Sequence, residues 1–384
     1  VSTPDYLWLP DHQLPVAATL SHADELIDQV GELLFTYQAA AGDVVRLREE
    51  ADGQVNRLVV DGFDPLPRKL PLLVADALVA LRAALEHALF AEVERRDGQL
   101  AEKAAKTVEI PAKEDQAGFN EWVKGKRKNG PSSLQAGSEL VQRIERLQPL
   151  HRCQAPSEHP LARLVLHTNH AKHRMPAVAA VMLPVMYRRD QRPESIDGLE
   201  KRLLRPLVVG EVLAEAPVGE IVEWSLFPNI GVNRPGTDDW PTLMIELREI
   251  ADWVREQAVP ILVAGDRQGP VLPARYDISV GHEDEREAIA AGTFVSATER
   301  HSERLRAGPV RDDLTEMIGT LPGAPSRTQL AEWLDSLSDK EVLTRVDRLG
   351  AFREGAMAGG LRVIEILMSH RDEALEYIAS RCSG

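Results

Sequence analysis

The sequence predicts a mainly helical α+β protein: an N-terminal helical bundle, a small central mixed α+β unit and a C-terminal helical segment. Three observations carry that prediction. Leucines recur at helical spacing through the first half, β-prone runs cut by glycine and proline fill the middle, and two helix-start signatures mark the end. Apolar residues returning every three to four positions bury one helix face, whereas short apolar runs between turn residues suit strands.

The elements follow in order. Ser21 is the expected N-cap of a first helix whose buried face carries Leu26, Ile27, Val30, Leu33, Leu34 and Tyr37, with Gly42 as its stop. Residues 53–70 are broken by Gly, Asp and Pro, and leave room for a short strand around Arg57–Val60. A second helix is expected from Pro71 to Arg95, with Leu78, Leu81, Leu85 and Leu89 on its stripe. Residues 98–137 are polar and poor in periodicity, so they read as a long, partly mobile excursion from the bundle. Helices from Ser138 to Leu147 and from Arg163 to Pro176 complete an antiparallel bundle over residues 1–180.

Residues 181–305 change character. Leu207-Val-Val, Glu211-Val-Leu and Glu220-Ile-Val-Glu-Trp-Ser-Leu predict hairpin strands. A helix from Pro241 to Ala258 interrupts them, with Leu243, Leu247, Ile250 and Val254 in register, and Pro260-Ile-Leu-Val-Ala-Gly reads as a further strand. Residues 306–384 return to helix. Ser326-Arg-Thr-Gln and Ser338-Asp-Lys-Glu have capping-box spacing, and Leu343, Val346 and Leu349, then Leu361, Ile364 and Leu367, supply apolar stripes. Gly355 and the Gly359–Gly360 pair are expected to kink or divide that last run.

Bulk properties bound the function. A chain of 384 residues exceeds one ordinary core, and 43% hydrophobic with 27% charged residues is a globular composition. No apolar run approaches the ~20 residues of a membrane span. The opening Val-Ser-Thr-Pro-Asp has no secretion-signal pattern, and Cys153 and Cys382 form no framework, so a reducing, cytoplasmic setting is expected. A net charge of −15 argues against general nucleic-acid binding. From Glu121 to Arg174, however, ten Lys/Arg stand against four acids, a basic island compatible with one anionic ligand or with a solvated face.

The densest chemistry lies in Arg163-Leu-Val-Leu-His-Thr-Asn-His-Ala-Lys-His-Arg174. At about 100° per residue, Leu161, Leu164, Val165, Thr168, Ala171 and Met175 share one face, and Arg163, His167, His170 and Arg174 form a stripe on the opposite one. The earlier helix holds Leu81-Arg-Ala-Ala-Leu-Glu-His87, and Leu-Gln-Pro149 lies between the two. In that order these segments resemble an uncharacterised bacterial family with a Leu-Arg-x-x-Leu-Asp/Glu-His helix and an Asn-x-x-Lys-His-Arg helix. The likeness covers residues 20–265 and departs at Ala171, where that family usually has an acid.

Arg82-x4-His87 and Arg163-x6-His170 also resemble the Arg-x4–6-His motif of HEPN ribonucleases, which are compact helical bundles, although Ala83 and Leu164 replace the polar residue common there. That resemblance implies an RNA-directed protein of a bacterial defence or toxin system, with a site formed where two bundles meet, hence a homodimer. Residues five apart on a helix diverge by about 140° and residues seven apart nearly superpose, so Arg163 and His170 are the better pair. Metal-independent RNA cleavage needs a proton shuttle and a phosphate clamp. His170 suits the first role and Arg163 the second, with His167, Asn169, Lys172, His173, Arg174, Arg82, Glu86 and His87 as binding candidates.

The bland alternative is a polar helix face in which Glu86 pairs with Lys172 or Arg174 across the bundle. The protein is then a non-catalytic dimeric scaffold whose acidic C-terminal helices meet a protein partner. His151, Cys153, His159, His167, His170 and His173 hint at zinc, but His167 and His173 diverge by about 120°, and no supporting metal motif accompanies them. Gly231-Val-Asn-Arg-Pro-Gly236 reads as a turn, and Asp284-Glu-Arg-Glu287 as a solvated helix start. Hydrolase-elbow and dinucleotide motifs are absent, so no cofactor is expected.

Overall fold

The computed structural model describes residues 6–39, 44–152, 154–191, 202–265, 269–350 and 358–382. The chain forms two compact units, 1–298 and 299–384. It is mainly helical α+β, 57% helix and 13% strand. No helix among the described residues is long and apolar enough to cross a membrane.

Helix α1 (Leu14–Ala39) and helix α2 (Lys69–Asp97) form the central pair of the first unit. Ser21 lies inside α1 rather than capping it; a preceding 3-10 turn, Asp11–Gln13, leads into the helix. Gly42 lies outside the described residues. Between the two helices stand strands β1 (Val45–Asp52) and β2 (Val55–Phe63), a full hairpin where the sequence suggests one short strand. Gly53, at a φ of 67°, permits the two-residue turn joining them. The charges of Val-Arg-Leu-Arg-Glu-Glu-Ala-Asp hide β1 from a hydrophobic reading. They pair along the exposed face instead, as Arg48 with Glu50 and Arg57 with Asp52.

The polar stretch after Gly98 holds regular structure that its composition conceals. A short helix α3 (Glu102–Ala105) is followed by α4 (Gln116–Lys126), capped by the Asp115 carboxylate on the Gly118 N–H. Phe119, Trp122 and Val123 occur at helical spacing and are buried; few anchors suffice because two are large aromatics. Helix α5 (Glu139–Arg146) starts at the Ser138 cap, and α6 (Pro160–His173) carries the histidine-rich motif.

Strand β3 (Ala179–Arg188) pairs antiparallel with β5 (Trp224–Val232), while β4 (Val212–Pro217) joins the outer edge of β2. Leu207-Val-Val is not a strand: Pro206 makes an isolated bridge to Met182, and the Leu207 N–H donates to the Val181 carbonyl while its side chain is buried in the core. Helix α7 (Leu243–Trp253) passes through a π-helical turn, Val254–Ala258, into α8 (Val259–Ala264). Pro260-Ile-Leu-Val-Ala-Gly is therefore helix, not strand, a case that a short apolar run cannot settle by itself. Pro260 falls in the first turn of α8, where its missing N–H is tolerated, and the left-handed Gly265 ends the helix. Helix α9 (Glu285–Ala290) begins at the Asp284 cap. One core runs from Tyr6 to Ala297, so the change of secondary structure near residue 180 separates element types that share the same buried interior.

The second unit holds most of α10 (Ala297–Gly319), then α11 (Arg327–Asp335), α12 (Asp339–Gly350) and α13 (Ala358–Cys382). Leu314, Ile318, Leu330, Trp333, Leu334, Val342, Leu343, Leu367 and Ala374 make its core. Both predicted caps form: Ser326 with Gln329, and Ser338 with Glu341. Gly359 and Gly360 sit in the first turn of α13, and Gly355 lies outside the described residues. Ile364, expected on the buried stripe, is 47% exposed.

Candidate functional site

Helix α6 is held from its first residue. Pro160 occupies its first turn, and His159 caps it by accepting the Leu161 N–H at Nδ1. The His159 ring packs edge-on against Trp253, 5.2 Å between centroids. Burial, reinforced by nearby Arg152 and Arg163, pushes its pKa down to about 4, which keeps the ring neutral and able to accept.

The helix is apolar on one side and polar on the other, as its pattern requires, yet both sides are covered. Leu161, Leu164 and Thr168 are buried in the first unit, where α6 packs on α2. Arg163 and His167, placed by periodicity on an outer stripe, face α7 and are only 3% exposed. Their partner there is Glu246. Arg163 Nη1 donates to Glu246 Oε2 at 2.7 Å and to Glu249 Oε2 at 2.8 Å. Arg234 donates to the same Glu246 through Nε and Nη2, at 3.1 and 3.0 Å, and to Glu158 at 2.6 Å. His167 Nε2 stands 3.4 Å from Glu246 Oε1.

Glu246 is thus a buried carboxylate shared by three donors. Burial alone would raise its pKa, but the His167 and Arg234 hydrogen bonds and the two guanidinium charges outweigh it and hold the group at about 2. For Arg234, burial pulls the other way, and Glu246 and Glu158 overcome it to keep the guanidinium above its ordinary value. Two buried cations meet three carboxylates, and a phosphate would have to displace one of them; among the described residues, Arg163 Nε and His167 Nδ1 are buried without a hydrogen-bond partner.

His170 does not join Arg163. Seven residues bring the two to one angular position but separate them by about 10.5 Å along the axis. The His170 Nδ1 donates to the Met175 carbonyl at 2.9 Å, closing the helix end, while Arg163 is turned into α7. Asn169, Lys172, His173 and Arg174 are exposed, and Lys172, His173 and Arg174 take part in no ion pair among the described residues. His167, His170 and His173 point to different surroundings, and no group of three or more described metal-ligating side chains converges anywhere. Cys153 lies outside the described residues.

The two quoted motifs do meet. Arg82 of α2 donates to Thr168 Oγ1 at 2.8 Å and to Asn169 Oδ1 at 2.7 Å, joining the Leu-Arg motif to the Asn-x-x-Lys-His-Arg motif. Glu86 lies 3.6 Å from Arg82 and accepts the Ile110 N–H, so it serves α2 and the incoming chain rather than Lys172 or Arg174. Burial raises its pKa against the lowering pull of that N–H and Arg82. His87 diverges from Arg82, as five-residue spacing demands, and lies 3.4 Å from Thr19 Oγ1 on α1.

Half of the basic island is spent in the same way, while Lys124, Arg127 and Lys128 are exposed. Arg143 donates to the carbonyls of Leu262 and Val263, and Arg146 to that of Gly265, satisfying the negative end of α8. Lys126 lies over the Trp122 ring at 4.7 Å and is buried. A groove of about 440 Å³ has no α6 residue in its lining, and its Asp277, Glu283, Asp284 and Glu287 would repel a phosphate.

Reasoning from sequence missed Arg234, Glu246 and Glu249. The available signal was Glu246 itself, which stands three residues after Leu243 and four before Ile250, on the apolar face of α7. An acid at a core position announces a buried cation partner. Compared with protein-family models, curated proteins and solved structures, the chain has no match.

Proposed function

We propose that this chain is a non-catalytic interaction protein, in which α2, α6 and α7 form a rigid platform and the charged motif residues hold that platform together. One observation carries the reading: the Arg163 guanidinium is buried between Glu246 and Glu249. The residue suited to clamp a phosphate already has two carboxylates, and its would-be partner His170 is bonded to a backbone carbonyl. A preorganised catalytic cation faces the place where substrate charge develops, and this one faces its own acids.

A second reading keeps an RNA-directed role, supported by the exposed Lys172, His173 and Arg174 at the open end of α6. The test is incubation of the full chain with single-stranded and structured RNA in EDTA, beside His170→Ala and Arg163→Lys. The scaffold reading expects no cleavage, or the same trace cleavage in all three. Cleavage by the wild type that His170→Ala abolishes, with unchanged circular dichroism, would overturn it and establish the HEPN-like ribonuclease.

A further inference from the structure

The inner line of α13 runs Leu367, His370, Ala374 and Tyr377, at the three- and four-residue spacing that seats a helix on a core. Its second member is an imidazole where the pattern calls for an apolar side chain. His370 is 2% exposed, and among the described residues neither ring nitrogen has a hydrogen-bond partner; Glu373 Oε1 stands 3.6 Å from Nδ1, beyond hydrogen-bond reach. The neutral ring therefore serves as filler, and a charged one would have two donors with nothing to receive them. A cation already occupies the neighbourhood. Arg345 of α12 donates to Glu373 Oε2 at 2.8 Å and to the Glu341 carbonyl at 3.2 Å, and it lies over the Trp333 ring at 5.6 Å. Glu373 is thus engaged by Arg345 before His370 can use it.

We propose that His370 is an acid-sensitive latch in the second unit: the neutral ring keeps α13 seated on α11 and α12, and its protonation releases α13 while the first unit keeps its core. The charges around the ring set the direction. Burial pushes its pKa below the ordinary 6.5; Glu373 on α13 opposes that shift, and Arg345 and Arg348 on α12 add to it. Helix α11 meets this core with Leu330, Trp333 and Leu334, and its Glu332 lies 4.0 Å from Arg381, a full three turns along α13 from the ring. Arg311 of α10 is taken up by Asp335 and Asp339. Because the fold prefers the neutral form, the contribution of His370 is complete above 6.5 and is lost as pH falls below it. The unit is small, and a small core has little stability in reserve, so one buried charge is enough to open it. The latch is independent of whether the chain acts on RNA.

The test is hydrogen exchange of the full chain, read by mass spectrometry at about pH 7.5 and about pH 5 and corrected for the intrinsic exchange rate. In the wild type, protection of peptides within residues 362–382 is expected to fall about tenfold or more between the two conditions. His370→Leu fills the same space without a titrating group. It is expected to hold that protection at both pH values and to leave the exchange of α2 as it is in the wild type. Arg345→Met removes the competing cation and keeps a stem beside Trp333; there the fall is expected to shrink, because His370 then has Glu373 to itself. A wild-type α13 whose protection does not fall, or a His370→Leu variant that loses it as the wild type does, would overturn the proposal. Should His370→Leu leave α13 unprotected already at about pH 7.5, Arg345→Met decides: a smaller fall supports the latch, and a fall as large as that of the wild type overturns it.

Discussion

At the N-terminal half of α6, Arg163 and His167 are buried against Glu246 of α7; at its C-terminal half, Lys172, His173 and Arg174 stand in solvent. The residue types are similar and the helix is continuous, yet the energetic roles differ. A cation taken out of water must carry its counter-ion with it, and the first half of α6 meets Glu246, Glu249 and, through Arg234, Glu158. Cations left in water need no partner and contribute little. Charge on a motif helix therefore reports function only after its burial is known.

The largest break in this contrast is Glu246→Ala. It strands Arg163 and Arg234 in the interior, and we expect a loss of about 3–5 kcal/mol in urea unfolding. Glu246→Gln is expected to lose less, since it still accepts hydrogen bonds.

Acid provides the next break. The folded pKa of Glu246, about 2, lies below its ordinary 4.5, so its contribution is complete above 4.5 and disappears as pH falls towards 2. His159 is also depressed, to about 4 from 6.5, chiefly by burial; the fold favours its neutral form, and stability is lost between those two values. Stability against pH should thus fall in two limbs. His159→Asn, which preserves a cap, is expected to shrink the upper limb, to which buried His370 also contributes, and to leave the lower one.

Smaller effects sharpen the comparison. Arg82→Ala deletes the hydrogen bonds to Thr168 and Asn169 and should cost about 1–2 kcal/mol in thermal or urea unfolding. Lys172→Ala and Arg174→Ala, in the exposed half, should each change stability by no more than about 0.5 kcal/mol in the same measurement.

The helical framework was legible because α1, α2 and α7 repeat their apolar residues over several turns. The Ser326 and Ser338 caps were legible because a capping box is a local event, whereas Ser21, expected as a cap, lies inside α1. Strand β1 was hidden by its surface charges, and α8 by being short and wholly apolar. The site was half legible. The sequence singles out Arg163, His167 and Arg82 but not the acids that hold two of them, because Glu246 lies 83 residues after Arg163. Periodicity gives the angle of a side chain about its own helix, and what the chain later packs there decides its burial.

The Arg163–Glu246 bond is expected to be part of the structure's support. A double-mutant cycle with Arg163→Met, Glu246→Gln and both together, read by urea unfolding, measures that directly. We predict that each single variant is destabilised and that the pair is coupled by about 1.5 kcal/mol or more. Additive effects within about 0.5 kcal/mol, or an Arg163→Met variant as stable as the wild type, would contradict it and return Arg163 to the candidates for contact with a ligand.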